Sequence, residues 1–441
     1  MVGSRIASSS SADACWHARL AALLTASGKH DSAASHYRRA LRGLDEAAVD
    51  GNPEDEAQLR KRRLQWQFEL AATETKRGCH QEAIALYEEI LATMPECVEV
   101  QVNLAAQLAI ADASRLEEAL GLCLRALTLR PNLAEAHYNR NMLLRRLGRQ
   151  SEAVRVYWGY IARDIGVETP RESMPNDLAR AVLFSEGVPQ IGKSSYVGTE
   201  GTRCNQAIEE GGVTVVCVKW GMKYGPEYVN KLYNSVMRNS TGLQVAFACL
   251  TDSAEGIDPH ENLNILELDD GWKGWWNKCQ LFSSVTLTKL RALGHGKCFY
   301  LDLDTVVVGS MVDLLTWTPP LGVLALLKTD QMANEQREGG FNSSVVAWRV
   351  DEETTSLQFI YSFLQTHFAT VSKYIFKFDH WLEMAHREAC FLEDVFTDQI
   401  FEYRSIRGET IAPPPNAAII CFPLLPKPHQ ASVPWVAQHW V

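Results

Sequence analysis

The spacing of hydrophobic residues changes character once along the chain. From about residue 14 to residue 165, Ala, Leu, Arg and Glu recur at helical spacing, and little in the stretch suggests strands. Three segments share one template: GKHDSAASHYRRAL (Gly28 to Leu41), GCHQEAIALYEEIL (Gly78 to Leu91) and GRQSEAVRVYWGYI (Gly148 to Ile161) each place Ala five residues after a turn Gly and Tyr four residues later. A fourth, LEEALGLCLRALTLRP (Leu116 to Pro131), fits without the glycine. Beyond Val167 the texture turns to Gly, Ser, Pro and polar residues, which predicts a linker or capping segment over 166–212. From Val213 onward β-branched and apolar runs bounded by turn residues take over: VTVVCVKW, LQVAFACLTD, KCFYLDLDTVVV, LGVLALLKT, SSVVAWRV and AAIICF, with the helical pattern PEYVNKLYNSVMRNS between the first two. Strands alternating with helices predict a mainly parallel sheet covered on both faces over 213–441.

Ala119 and Ala153 are 34 residues apart, and Pro95 and Pro131 fall where a unit of that length would end. In this the helical half resembles tetratricopeptide repeats, so an α-helical solenoid over 14–165 is expected, with extra length around DGNPEDEAQ. Such repeats carry no chemistry. They serve as a spacer or dimerisation surface, or as a groove that holds a peptide or another acceptor.

Composition narrows the function. At 441 residues the chain is too long for one ordinary core. Its 46% hydrophobic content is that of a globular protein, and its net charge of −10 disfavours nucleic acid as a partner. No run is apolar enough to cross a bilayer and the opening MVGSRIASSSSADACWHARL has no signal-peptide pattern, so a cytoplasmic location without a membrane span is expected. The eleven cysteines are scattered without zinc-finger spacing, which favours buried free thiols.

The chemistry concentrates in KCFYLDLDTVVVGS, Lys297 to Ser310. Aspartate is a poor strand residue and costly to bury alone, yet Asp302 and Asp304 interrupt an apolar run. On an extended chain residues i and i+2 share a face, so both carboxylates are expected to converge on one cation at the end of a strand. Hard oxygen ligands suit Mn²⁺ or Mg²⁺.

This segment resembles the D-x-D region of nucleotide-sugar glycosyltransferases with the A-type fold, close to the glycogenin-like group. Other segments follow in that family's order over residues 213–441. VKWGMKYGPEYVNKLYNSV is similar to the first strand and helix, which implies donor contacts at Lys219, Lys223 and Tyr224. WWNKCQLF implies Lys278 near the donor, and GGFNSSVVAWR implies Asn342 and Ser343 facing the sugar. FTDQIF supplies Asp398 and Gln399. The resemblance implies Asp302 and Asp304 as metal ligands on the donor diphosphate, Asn342 and Asp398 orienting the sugar, Lys427 of CFPLLPKPHQ on the diphosphate, and retention of configuration at the transferred sugar. The implied partners are a nucleotide diphosphate sugar, most readily a uridine one, and a protein or glycan acceptor.

The chain departs from the family at one point. The third metal ligand, a histidine ahead of the Lys-Pro pair, is replaced here by Cys421 or Pro423, and His429 beyond the pair is left as the candidate substitute. Three other readings compete. A haloacid dehalogenase-type phosphotransferase would need Thr at the position of Val306 and the motif on its first strand. A two-Rossmann transferase does not use a D-x-D metal. A repeat scaffold carrying a degenerate transferase domain is favoured by the missing histidine.

Overall fold

The computed structural model describes residues 2–47, 53–166, 212–293, 295–329, 340–350, 355–386, 389–406 and 412–441. Residues 167–211 of the expected linker lie outside the described residues, as do Asp50 to Asn52 of the insertion and Gly339. The chain divides into two compact units, Met1–Arg149 and Gln150–Val441.

The first unit, in its described residues, is wholly helical: α1 (Val2–Ala26), α2 (His30–Ala47), α3 (Pro53–Arg77), α4 (His80–Thr93), α5 (Val98–Ala111), α6 (Leu116–Leu129) and α7 (Ala134–Arg146), each packed on the next. The sequence template explains the joints. Gly28, Gly78 and Gly148 all have φ between 71° and 76°, the left-handed region that a side chain disfavours. In each case the next N–H reaches back to a carbonyl five residues earlier: Lys29 to Leu24 at 2.9 Å, Cys79 to Glu74 at 2.9 Å and Arg149 to Leu144 at 2.8 Å. This closure satisfies carbonyls that the helix end leaves free. The template without glycine uses other means, since Asp112 caps a short 3₁₀ turn, Ala113–Arg115, accepting from the Ser114 N–H at 2.8 Å. The template alanines Ala33, Ala83 and Ala119 have no exposed surface, and Tyr37 and Tyr87 are buried beside them. Pro95 and Pro131 end their units alike: each carbonyl is bonded by a side chain six residues on, Gln101 at 2.6 Å and His137 at 2.7 Å.

The second unit holds a seven-stranded sheet built from β1 (Val213–Lys219), β2 (Val245–Thr251), β3 (Leu263–Glu267), β4 (Lys297–Leu301), β6 (Leu324–Lys328), β7 (Phe341–Arg349) and β8 (Ala389–Phe391), with β5 (Thr305–Val307) leaving it between the fourth and fifth of these. The spatial order is β3-β2-β1-β4-β7-β6-β8. In this sheet only β7 runs against its neighbours. A second sheet joins β5 to two later strands, β9 (Ile400–Glu402) and β10 (Ile419–Cys421), with β10 in the middle. Alternation within a fully buried strand separates two cores. Val216 and Val218 of β1 face one, while Val213, Val215 and Cys217 face the other.

The longer helices of this unit are α8 (Gln150–Asp164), α9 (Pro226–Asn239), α10 (Ser284–Ala292), α11 (Thr355–Tyr374) and α12 (Phe378–Ala385). Tyr228, Leu232 and Val236 of α9 cover one core together with β5 and β10. α8, the helix of the last sequence template, lies in the other. Its Trp158 is 1% exposed, with its ring 5.3 Å from that of Phe363 on α11 and 5.8 Å from that of Trp381 on α12. The Tyr374 hydroxyl donates to Asp164 at 2.7 Å and closes the end of α8 onto α11. Among the described residues no helix is long and apolar enough to cross a membrane.

Candidate active site

The run KCFYLDLDTVVV is not one extended strand. β4 ends at Leu301, residues 302–304 turn, with the Thr305 N–H bonded to the Asp302 carbonyl at 3.1 Å, and β5 departs into the second sheet. The aspartates are thus brought together by a turn between two sheets rather than by strand alternation. Apolar residues on both sides pull the chain into different sheets, and the polar triplet is left at the seam.

Each carboxylate has its own buried lysine. Lys278, on a 3₁₀ segment Gly274–Phe282, reaches Asp302 Oδ1 at 2.7 Å and also donates to the backbone oxygen and Oγ of Ser343, both at 3.2 Å. Lys427 reaches Asp304 Oδ2 at 2.6 Å, the Phe422 carbonyl at 2.6 Å and the Pro423 carbonyl at 3.0 Å. An ammonium has three N–H bonds, and these two have three oxygen acceptors apiece. Tyrosines complete the set: the Tyr300 hydroxyl donates to Asp302 at 2.5 Å and the Tyr224 hydroxyl to Asp304 at 2.7 Å. Burial opposes the charge on Lys278, but Asp302 and Asp379 outweigh it and hold its pKa above the ordinary lysine value. Burial raises the Asp302 carboxyl against the pull of that lysine. The Tyr224 phenol is pushed far up by burial and then by Asp304.

β7 supplies the floor. Its pairing with β6 shifts register between Leu326 and Leu327, opposite the segment that carries Asn342, Ser343 and Ser344. Irregularities of this kind re-aim residues near functional sites. The Ser344 carbonyl accepts the Asp302 N–H at 2.9 Å, and Asn342 Oδ1 accepts the Ser344 N–H at 3.0 Å, so Asn342 holds the bulge closed.

Several predicted residues join this network and others do not. Asp302, Asp304, Lys278, Lys427, Tyr224, Ser343 and Asn342 converge from five separate segments. Lys219 instead faces the loop after β2, 3.5 Å from the Ser253 carbonyl and 3.9 Å from Asp252. Lys223 is exposed, with its ammonium 5.0 Å from the Tyr224 ring centre. Asp398 is exposed at φ 60°, a conformation aspartate tolerates, without a side-chain hydrogen bond among the described residues. The neighbouring Gln399 carbonyl accepts the N–H groups of Ala418 and Ile419, tying that loop to β10.

The expected metal ligands also fall differently. His429 shares a hydrogen bond through Nδ1 with the Tyr228 hydroxyl, and the Tyr228 ring packs 4.8 Å from that of Tyr224, so the contacts linking His429 to Asp304 run through two tyrosines rather than a shared ion site. The segment where the family keeps its histidine delivers the Phe422 and Pro423 carbonyls to Lys427. Burial pushes the Cys421 thiol well above its ordinary value, with Asp302 and Asp304 adding to it. Among the described residues no group of three His, Cys, Asp or Glu is arranged to hold a metal ion. Each carboxylate has an ammonium and a phenol on one oxygen, Oδ1 of Asp302 and Oδ2 of Asp304, and the two lysines already balance the two negative charges, so the charge as arranged does not fit an added divalent cation.

Sequence reasoning missed three acidic residues. Asp379 accepts the N–H of Ser343 at 3.1 Å and also its hydroxyl, and Glu383 accepts the Phe341 N–H at 2.9 Å. The two are four residues apart on α12, FDHWLEMA, whose other residues are apolar except His380, and that pairing on one helix face was a readable signal. Glu393 follows β8 at the sheet edge where β4 ends. Its Oε1 accepts the Lys328 N–H at 2.9 Å, and burial raises its pKa to about 7. Trp272 and Trp276 pack on Phe368 of α11, each with ring centres 5.1 Å apart, as part of the core.

No protein-family model matches the chain, and no curated protein does. Solved structures similar to it include the galactosyltransferase LgtC in complex with donor and acceptor sugar analogs, at 14% identity over 52% of this chain and 91% of that one, with a TM-score of 0.33. MamA is similar at 15% identity over 39% of this chain and 89% of its own, with a TM-score of 0.29. TTC0263, a thermophilic TPR protein of Thermus thermophilus, is similar at 21% identity over 40% of this chain and 83% of its own, with a TM-score of 0.25.

Proposed function

We propose that the chain is a glycosyltransferase that takes a sugar from a nucleotide diphosphate donor, a uridine one by the resemblance of its motifs, and passes it with retention to a protein or glycan acceptor bound by the helical repeats. The observation that carries this reading is the convergence of motif residues from five segments at the carboxyl end of β4, the edge of an open α/β sheet where ligands gather. Ammonium donors held in a buried site suit a leaving diphosphate, whose charge grows as the glycosyl bond breaks. Lys278 and Lys427 supply those donors. Each can keep its aspartate and exchange a neutral acceptor, the Ser343 hydroxyl or the Pro423 carbonyl, for a phosphate oxygen. Tyr224 and Tyr300 hold the aspartates in place while this happens. Asn342 and Asp398 are assigned to the sugar.

A second reading, a repeat scaffold with an inactive transferase domain, is favoured by the closed pairing of all four charges. Nucleotide release from a panel of nucleotide sugars separates the two. The transferase reading expects one donor to be turned over, with Lys278→Ala lowering turnover by roughly a hundredfold or more, the scale of one lost transition-state donor. No release from any donor, or equal release by parent and variant, contradicts it.

A further inference from the structure

We infer that this site binds the diphosphate of its donor without a divalent cation, the Lys427 and Lys278 ammonium groups standing where a metal would meet the two aspartates; the inference rests on the donor reading above. Three independent observations point the same way. First, charge is already balanced, since two buried ammonium groups face two carboxylates at 2.7 and 2.6 Å. A divalent ion entering there would sit beside two ammonium groups held on the same two carboxylates. Second, one oxygen of each aspartate and two nearby main-chain carbonyls are already taken by ammonium or phenol donors. Lys278 and Tyr300 both meet Oδ1 of Asp302, Lys427 and Tyr224 both meet Oδ2 of Asp304, and the Phe422 and Pro423 carbonyls are turned onto Lys427. Third, the residue that could complete a coordination shell lies elsewhere, because His429 is bonded to Tyr228 and ringed by Tyr228 and Trp440 at centroid distances of 5.9 and 6.5 Å.

The lysines differ in what they can release. Lys427 binds two main-chain carbonyls, which a phosphate oxygen can replace singly without moving the backbone. Lys278 binds Ser343 twice, and Ser343 is itself held by Asp379. Lys427 is therefore the group that turns to the diphosphate more readily, while Lys278 also fixes Asp302.

Calorimetric titration of the full chain with UDP, in EDTA and in Mn²⁺, tests the inference. The expected result is the same affinity in both buffers within about threefold, less than the tenfold that 1.4 kcal/mol represents. Lys427→Ala should lose about tenfold or more in UDP affinity and should gain a Mn²⁺-dependent rise in melting temperature, because Asp304 is freed to act as a ligand. UDP binding by the parent only in Mn²⁺ overturns the inference and leaves the donor reading standing. Binding of no nucleotide diphosphate in either buffer sinks the donor reading and the inference with it. Should Lys427→Ala fail to fold, Mn²⁺ titration of the parent alone decides: a stabilising shift without nucleotide overturns the claim.

Discussion

The helical unit and the candidate site are built by opposite rules. In the helical unit the decisive contacts are local: a left-handed glycine, a carbonyl five residues back from the following N–H, and a proline carbonyl met by a side chain six residues on. In the site, Lys278 meets a serine 65 positions away, Tyr224 an aspartate 80 away and Lys427 the same aspartate 123 away. Local rules repeat, and a repeat can be read from one sequence. Long-range polar pairing depends on which strands become neighbours, and a linear pattern does not fix that.

The helix α8 offers the strongest way to break this contrast, since it carries the repeat template but packs in the sheet unit. A chain beginning at Val213 loses Trp158 from between α11 and α12 and should not fold to a cooperative unit, whereas one beginning at Gln150 should. Within the full chain Trp158→Ala should cost about 3–5 kcal/mol, as removal of a buried tryptophan does. Urea unfolding followed by near-ultraviolet circular dichroism reads both. A loss below about 1 kcal/mol would return α8 to the repeats.

Glu393 sharpens the comparison from the other side, because nothing local marks it as unusual. Its folded pKa of about 7 lies above the ordinary glutamate value, chiefly through burial. The unfolded chain ionises it first, so its contribution is fully present below the unfolded pKa and is lost as pH rises through about 7. The fall in melting temperature between pH 5 and pH 8 should therefore shrink in Glu393→Gln, by an amount corresponding to roughly 1–2 kcal/mol once solvent screening is allowed for. Parallel pH profiles for parent and variant would show the carboxyl to be ordinary.

The smallest effect belongs to the repeats. Gly78→Ala meets no neighbouring atom, so its whole cost is the left-handed backbone, about 1 kcal/mol. Gly121→Ala, inside α6 and without the left-handed backbone, should instead be neutral or slightly stabilising. Thermal unfolding of the two variants side by side tests whether conformation alone explains the template glycine.

These cases mark how far the sequence could be read. Helices, the parallel sheet and the position of the D-x-D pair at a strand end were visible because period and turn residues are local signals. The turn that breaks KCFYLDLDTVVV was hidden, since apolar residues on both sides read as one run until two sheets compete for them. β3, β8 and β9 were missed: β8 and β9 have only three residues each, and β3 is only partly buried and so lacks the apolar run that gave away β10, which is as short as β8 and β9 but fully buried. The partners of Asp302 and Asp304 were half visible: both lysines stood out through family resemblance, yet nothing in the sequence said that they would bind the aspartates rather than await a phosphate.

Hydrogen–deuterium exchange of the full chain with and without UDP tests the central claim most directly. A donor site at the seam between the sheets predicts slowed exchange in peptides covering Asp302 to Thr305 and Phe422 to Lys427, with no change in α1 to α7. Unchanged exchange in both segments under saturating UDP, or protection confined to the helical unit, would contradict it.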